Sequence, residues 1–237
     1  PLYYSHINEN FYFASEAKAL FKLGVPAELD ELSVYQNTYL PGSFPNKSLF
    51  KNIHTLPAGH LMIIDASGMR IQQYWDFDYP ILEKNENNST KKDQEYIEEF
   101  KQIFDDSVRL RLRADVPVAC YLSGGLDSSA VMGVAAKYSA KPVHAFTLSF
   151  DNAEYDEAIF AKESCEKVGA IHTIVPISAN DIVDHFPDAI WHAETMAFNG
   201  HISAKFLLSE HVRRAGYKVV LTGEGSDEML AGYAHRS

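Results

Sequence analysis

Apolar positions along the 237-residue chain follow two different rhythms. In the N-terminal third they alternate as strands do, and beyond it strand-like runs and helix-like stripes take turns. From Tyr3 to Ala14 two short aromatic-rich runs flank Asn8-Glu9-Asn10, which predicts a hairpin, and Ser15 to Leu23 predicts a short helix ended by Gly24. A second hairpin is expected where His60 to Asp65 and Met69 to Trp75 bracket Ala66-Ser67-Gly68, with glycine at the position that needs positive φ. Residues 83–93 are polar and without apolar period, the mark of a solvated linker between a domain at 1–82 and another at 94–237.

After the linker, Ile97, Phe100, Phe104 and Val108 recur at helical spacing up to about Arg113. Strand 116–122, helix 127–138, strand 143–150, helix 156–168, strand 171–176, a helical region near 178–192, helix 203–214 and strand 217–222 then follow in order. This alternation predicts an α/β domain, a doubly wound and mostly parallel sheet. Such sheets bind ligands beyond the carboxyl ends of their strands.

Two of those ends carry chemistry. The run Val116 to Leu122, entered through Pro117, is apolar and rich in β-formers, and it stops at Ser123-Gly124-Gly125-Leu126-Asp127-Ser128-Ser129. The glycines let the backbone approach a ligand. In the following helix Val131, Val134, Ala135 and Tyr138 share one face, so its first turn aims free N–H groups at the loop. With the helix dipole and the Ser123, Ser128 and Ser129 hydroxyls, these donors suit a polyphosphate. Asp127 would repel a bare phosphate and fits only if a hard cation such as Mg²⁺ bridges the two. An ordinary turn with Asp127 as its N-cap is the bland alternative. No lysine closes the loop, unlike a loop built to transfer a γ-phosphoryl group. The second end, Gly223-Glu224-Gly225-Ser226-Asp227-Glu228, again sets carboxylates at the start of an expected helix, and Asp127 with Asp227 could share one metal between the loops. A charged helix N-terminus would explain Asp227 or Glu228 alone.

Composition narrows the classes. With 32 acidic against 21 basic residues the net charge is −11, which opposes binding to nucleic acid or an anionic membrane and disfavours tRNA-modifying readings. At 46% apolar and 12% aromatic residues there is ample material for packed cores. Cys120 and Cys165 are too few for a disulfide scaffold and read as reduced core residues. No apolar run approaches the ~20 residues that span a bilayer, so a cytoplasmic protein is expected. Because the first methionine is Met62 and Glu228 to Ser237 reads as a helix in progress, the chain is expected to be a fragment.

The string Ser123-Gly124-Gly125-Leu126-Asp127-Ser128 resembles the pyrophosphate-binding loop of N-type ATP pyrophosphatases. Thr222-Gly223-Glu224-Gly225-Ser226-Asp227-Glu228 with Gly232-Tyr233 resembles the second signature of the glutamine-hydrolysing asparagine synthetase family. Upstream, Pro1-Leu2-Tyr3-Tyr4, Ala14-Ser15-Glu16-Ala17-Lys18-Ala19-Leu20 and Leu56-Pro57-Ala58-Gly59 resemble the end of that family's class II glutaminase domain. The resemblance implies an adenine nucleotide α-hydrolase-like sheet preceded by the C-terminal part of an N-terminal-nucleophile α+β glutaminase domain. It implies a ligase that activates the side-chain carboxylate of aspartate with ATP as an acyl-adenylate, releases pyrophosphate, and amidates the adenylate with glutamine-derived ammonia. Related members activate other carboxylates, in β-lactam synthesis or peptide cyclisation, and a non-catalytic ATP-binding module is a further alternative.

Carried over by position, Leu122, Leu148, Thr222 and Gly223 would contact adenine and ribose, Ser123, Gly124, Gly125, Asp127 and Ser128 the phosphates, and Asp127 with Asp227 the magnesium. Glu224 is the expected catalytic residue, taking a proton from the attacking ammonia. The implied partners are small molecules, aspartate or another carboxylate and glutamine or ammonia, and a homodimer of the intact protein is compatible with the family. Two departures stand out. The class II nucleophile is an N-terminal cysteine, yet Pro1 begins this chain, so full turnover by this piece is not expected. Residues 194–201 hold no arginine for the α-carboxylate of aspartate, and Lys205 or His201 are the residues that could replace it.

Overall fold

A computed structural model describes residues 1–39, 46–78, 92–151, 157–230 and 232–233. Contacts divide the chain into two units, Pro1–Glu86 with Ile190–Phe198, and Asn87–Ala189 with Asn199–Ser237. The expected linker lies outside the described residues up to 91, and Asp93, its last residue, already opens a helix.

In the first unit β1 (Tyr3–Ile7) and β2 (Asn10–Ala14) pair antiparallel with Ile7 opposite Asn10. Asn8 and Glu9 form the turn with φ of 51° and 62°, the left-handed torsions that a two-residue hairpin requires. Helix α1 (Ala17–Lys22) follows, burying Ala17 and Leu20, and the chain leaves it through Gly24 at φ +99°. Two elements have no counterpart in the apolar pattern. Helix α2 (Glu31–Tyr39) buries only Ser33, so it shows no stripe, and β3 (His54–Thr55), paired with β1, is too short to have a period. The local signal for α2 is Asp30, whose Oδ1 accepts the Ser33 N–H at 2.7 Å. Strands β4 (His60–Asp65) and β5 (Gly68–Gln73) make a separate hairpin in which Asp65 faces Gly68, at φ +115°. The expected second strand thus starts one residue earlier, at Gly68, and ends at Gln73. Gly59 is obligatory for another reason: a Cβ there would lie 2.2 Å from the Trp75 carbonyl oxygen.

One contact in this unit spans most of the sequence. Helix α1 has no side-chain cap from its own N-cap residue, Glu16. Its free N–H groups go to Glu194, whose carboxylate accepts from Ala17 N–H at 2.6 Å and Lys18 N–H at 2.7 Å and also meets Lys18 Nζ at 3.1 Å. Glu194 holds a left-handed φ of 53° to do so, and its side chain is only 7% exposed.

The second unit is a four-stranded parallel sheet in the order β8-β7-β6-β9, from β6 (Val118–Tyr121), β7 (His144–Phe150), β8 (Ile171–Ile177) and β9 (Val219–Leu221). Side chains alternate across it. Cys120, Leu122 and Ala145 meet Val108 of α3 (Asp93–Arg111), Val131, Met132 and Ala135 of α4 (Leu126–Tyr138), and Ala161 and Cys165 of α5 (Ala158–Val168). On the other face Ala119, Phe146, Val175 and Ile177 meet Ile182 of α6 (Ala179–Asp184) and Leu207, Leu208 and Val212 of α8 (His201–Arg214). Helices on both faces make the sheet doubly wound, as expected. The helical region near 178–192 breaks at His185 into α6 and α7 (Phe186–Ala193).

Two predicted stripes shift. In α4 the buried positions are Ser128, Val131, Met132 and Ala135, while Tyr138 is exposed and bonds Asp105. In α3 only Val108 is fully buried, Phe104 is partly so, and Ile97 and Phe100 are exposed. Both cysteines are free and buried, as expected of core residues. Burial pushes the Cys120 thiol up to about 12, which makes it inert.

Candidate functional site

Strand order fixes where a ligand can sit. The sheet runs outward from β6 to β7 and β8 on one side and to β9 on the other, so the order reverses between β6 and β9. Loops leaving their carboxyl ends diverge there and open a crevice. With Cys120 opposite Leu221, both strands stop at the same level and the two chemistry-bearing loops emerge side by side. A cavity of about 350 Å³ lies between them.

Glycine makes that approach possible. A Cβ on Gly223 would stand 2.7 Å from Ser128 N and 2.9 Å from both the carbonyl carbon and the Cβ of Asp127. On the far side of the first loop Gly124, at φ +88°, packs on the start of α5, where a Cβ would meet Glu157 O at 2.7 Å. Gly232 makes room for the Asp227 carboxylate, since a Cβ there would lie 2.0 Å from Asp227 Oδ1.

The serines hold the loop in shape. Ser128 Oγ is buried and accepts from Ser123 N–H at 3.2 Å, the two hydroxyls share a bond of 3.0 Å, and Ser123 Oγ accepts from Gly125 N–H at 3.2 Å. Ser128 Oγ also donates to Gly125 O at 3.3 Å, so both hydroxyls have partners within the loop while both residues line the cavity. Ser129 hydroxyl turns to Ser164 on α5, at 3.3 Å, and is a helix-packing group rather than part of the cradle. The first bond into α4 is Ser129 N–H to Gly125 O at 3.2 Å, so the preceding N–H groups precede the helical ladder and face the loop.

Of the sequence-derived site residues, Leu122, Ser123, Asp127 and Ser128 line the cavity from the first loop, and Thr222, Gly223, Glu224 and Asp227 line it from the second. Leu148 lines it from β7. Gly124 and Gly125 shape the backbone without lining the cavity. Sequence reading missed Phe146 and Phe150, which alternate with Leu148 along β7 as an i, i+2 apolar set, and Glu157, which follows the approach to Gly124. Lys205, one of two candidates for the missing arginine, lines the cavity and bonds Glu224 Oε1 at 2.5 Å. His201, the other, is exposed at the start of α8 and is not part of the cavity wall. Among the described residues no group of three or more His, Cys, Asp or Glu side chains is arranged to hold a metal, and no helix is long and apolar enough to cross a membrane.

A doubly wound parallel sheet with two glycine-bearing, acid-rich loops at its switch point is the frame on which α/β proteins hold ligands beyond the carboxyl ends of their strands. Residues 99–237 match the asparagine synthase family model and residues 1–75 that of the glutamine amidotransferase domain. The chain belongs to the asparagine synthase family. It is 30% identical to "Amidase chyE" of Penicillium rubens and 28% identical to "Asparagine synthetase [glutamine-hydrolyzing] 1" of Bacillus subtilis, over 98% of its own length in each case. It spans 36% of each of these relatives, about a third of their length. Among solved structures, the NH3-dependent NAD synthetase of Campylobacter jejuni is similar at a TM-score of 0.42 and 20% identity, over 58% of this chain and 60% of that one.

Proposed function

We propose that the second unit is the adenylating part of a glutamine-dependent amide ligase, with ATP in the crevice between the loops after β6 and β9. The observation that carries this reading is the packing of Gly223 on Ser128 and Asp127, which leaves both loops facing one cavity. The start of α4 would receive the β- and γ-phosphates, and Phe146, Leu148 and Leu208 offer an apolar wall for the base. Asp127 and Asp227, two hard oxygen donors on adjoining loops, fit a magnesium ion. When bound, that ion neutralises charge between carboxylate and polyphosphate.

The acceptor's carboxylate oxygen attacks the α-phosphorus, the bond to the bridging oxygen breaks, and pyrophosphate leaves with the electron pair. Ammonia then attacks the acyl carbon and AMP departs. Glu224, on the rim beside the acyl group and held by Lys205, takes the proton that the nitrogen loses. The first unit corresponds to part of a glutaminase that would supply the ammonia. Aspartate is the leading acceptor. Another carboxylate is the second reading, favoured by the absence of arginine from 194–201.

Isotope exchange of pyrophosphate into ATP, measured on the intact gene product with a panel of acids, tests the proposal. Exchange that depends on one acid and is lost in Asp127→Ala supports it, and no exchange with any acid refutes it.

A further inference from the structure

Asp127, Glu157, Glu224, Asp227 and Glu228 all line the cavity. Asp127 and Asp227 are assigned to the ion and Glu224 is bonded by Lys205, which leaves Glu157 and Glu228 without a role. Glu228 follows a proposed ligand directly in sequence and, with no counter-ion, would repel the polyphosphate. Its place at the start of a helix explains little, because peptide dipoles add up along a helix and α9 (Ser226–Leu230) has only five residues.

The chain closes around these acids from both sides. Ahead of them Ser226 Oγ donates to Gly223 O at 2.9 Å, and behind them Gly232 N–H donates to Asp227 O at 3.1 Å. Gly232 lies so close to the Asp227 carboxylate that a Cβ there would strike Oδ1. The next residue, Tyr233, is half-buried, lines the cavity and donates its hydroxyl to Glu228 Oε1 at 2.8 Å. That bond, burial, and the charges of Glu228, Asp227 and Glu224 push the Tyr233 phenol above its ordinary value, so the hydroxyl keeps its proton and stays a donor. Glu228 is exposed, and a carboxylate with about four lone-pair sites can accept more bonds than this one.

We infer that Tyr233 is a positioning residue of the metal site, its hydroxyl holding Glu228 where that carboxylate accepts a hydrogen bond from a water of the magnesium ion. Magnesium keeps several of its waters when carboxylates and phosphates bind it. An acid just outside the ligand pair orients such a water, and a donor that fixes the acid spares it the loss of rotamer freedom on binding. This assignment rests on the adenylation reading, with its ion on Asp127 and Asp227, and extends that reading from the ligands to a residue that acts on them from outside. The rival role for Tyr233 is a direct contact of its hydroxyl with the nucleotide.

Titration calorimetry of ATP on the 237-residue chain, over a series of Mg²⁺ concentrations and in EDTA, separates the two. Tyr233→Phe keeps the ring and removes only the hydroxyl. The Mg²⁺ concentration that half-saturates the gain in ATP affinity is expected to rise about tenfold, the lower end for outer-shell partners, while metal-free affinity stays at the parent value. Glu228→Ala should raise it at least as far, and the double variant no further than Glu228→Ala alone, because the hydroxyl acts only through that carboxylate. A Tyr233→Phe chain with the parent's Mg²⁺ requirement overturns the inference and spares the ligand pair. An equal loss of ATP affinity with and without Mg²⁺ overturns it too, making the hydroxyl a nucleotide contact or a prop for the loop, and so do additive effects in the double variant. If the parent chain binds no ATP, or binds it without help from Mg²⁺, the reading of the site itself fails and the inference falls with it.

Discussion

Replacing Gly223 by alanine probes the central contact of the site. The new methyl would stand 2.7 Å from Ser128 N and 2.9 Å from two Asp127 atoms, three contacts against one short segment. Ordinary van der Waals contact begins at 3.4 Å, so the loops must separate by several tenths of an ångström. Neither has an easy escape, because β6 and β9 are paired up to Cys120 and Leu221 and Ser128 is buried at the start of α4. Overpacking of this kind costs about 1–3 kcal/mol. In a domain of this size that lowers the melting temperature by about 3–10 °C. Displacing the loop should also weaken Mg-ATP by about tenfold or more, each decade corresponding to about 1.4 kcal/mol. Thermal unfolding with and without Mg-ATP reads both effects. Gly133→Ala is the internal control: it lies within α4 with nothing inside 4 Å of a new Cβ, and should stabilise the protein by about 0.5–1 kcal/mol. If Gly223→Ala melts and binds nucleotide like the parent chain, the two loops do not pack against each other and do not form one site.

Other consequences follow from single contacts. Glu194→Ala leaves two N–H groups at the start of α1 without their acceptor and should lower stability by about 1–3 kcal/mol in urea unfolding; an unchanged midpoint would refute the capping role. Asp127→Asn and Asp227→Asn should each remove the magnesium dependence of ATP binding, and with a repelling carboxylate gone metal-free binding should be tighter than in the parent chain, as titrations with and without EDTA can check. Burial holds both the His144 and the His172 imidazoles below the ordinary 6.5, with the charges of His144 and Lys162 adding to the effect at His172. Both rings are bonded as well, His144 Nε2 to Thr173 Oγ1 at 2.7 Å and His172 Nε2 to Thr147 Oγ1 at 2.8 Å. As pH falls below about 6.5 the unfolded chain takes up protons that the fold refuses, so stability present at pH 7.5 should decline toward pH 5.5. A urea midpoint that stays level or rises over that range contradicts this.

The parallel sheet was legible because each of its elements announces itself locally. The apolar run before Ser123 and the stripe after it belong to segments long enough to have a period, and their order alone implies a doubly wound sheet. In the first unit the hairpin turns were equally readable, from Asn8 and Gly68, which tolerate positive φ, although Glu9 takes a left-handed φ of 62° that its residue type does not signal. Helix α2 and strand β3 escaped because one buries a single serine and the other has two residues, leaving no pattern to detect. The exposed half of α3 shows the opposite failure: Ile97 and Phe100 keep helical spacing although neither is buried.

Local chemistry likewise marked out the two loops, since Gly, Ser and Asp at a strand-to-helix junction have few physical uses, whereas Leu122, Leu148 and Thr222 among the lining residues came only from the resemblance to a known family. Pairwise partners were another matter. Nothing near Glu16 indicates that α1 is capped from Glu194, and nothing near Glu224 that its carboxylate is held by Lys205. Nor does the sequence show that the Ser123 and Ser128 hydroxyls bond each other across the loop. Short-range features are fixed by torsional preference and periodic burial, which each segment carries with it. Which charged groups end up within hydrogen-bond reach depends on strand order and helix packing, and these exist only once distant segments share a core.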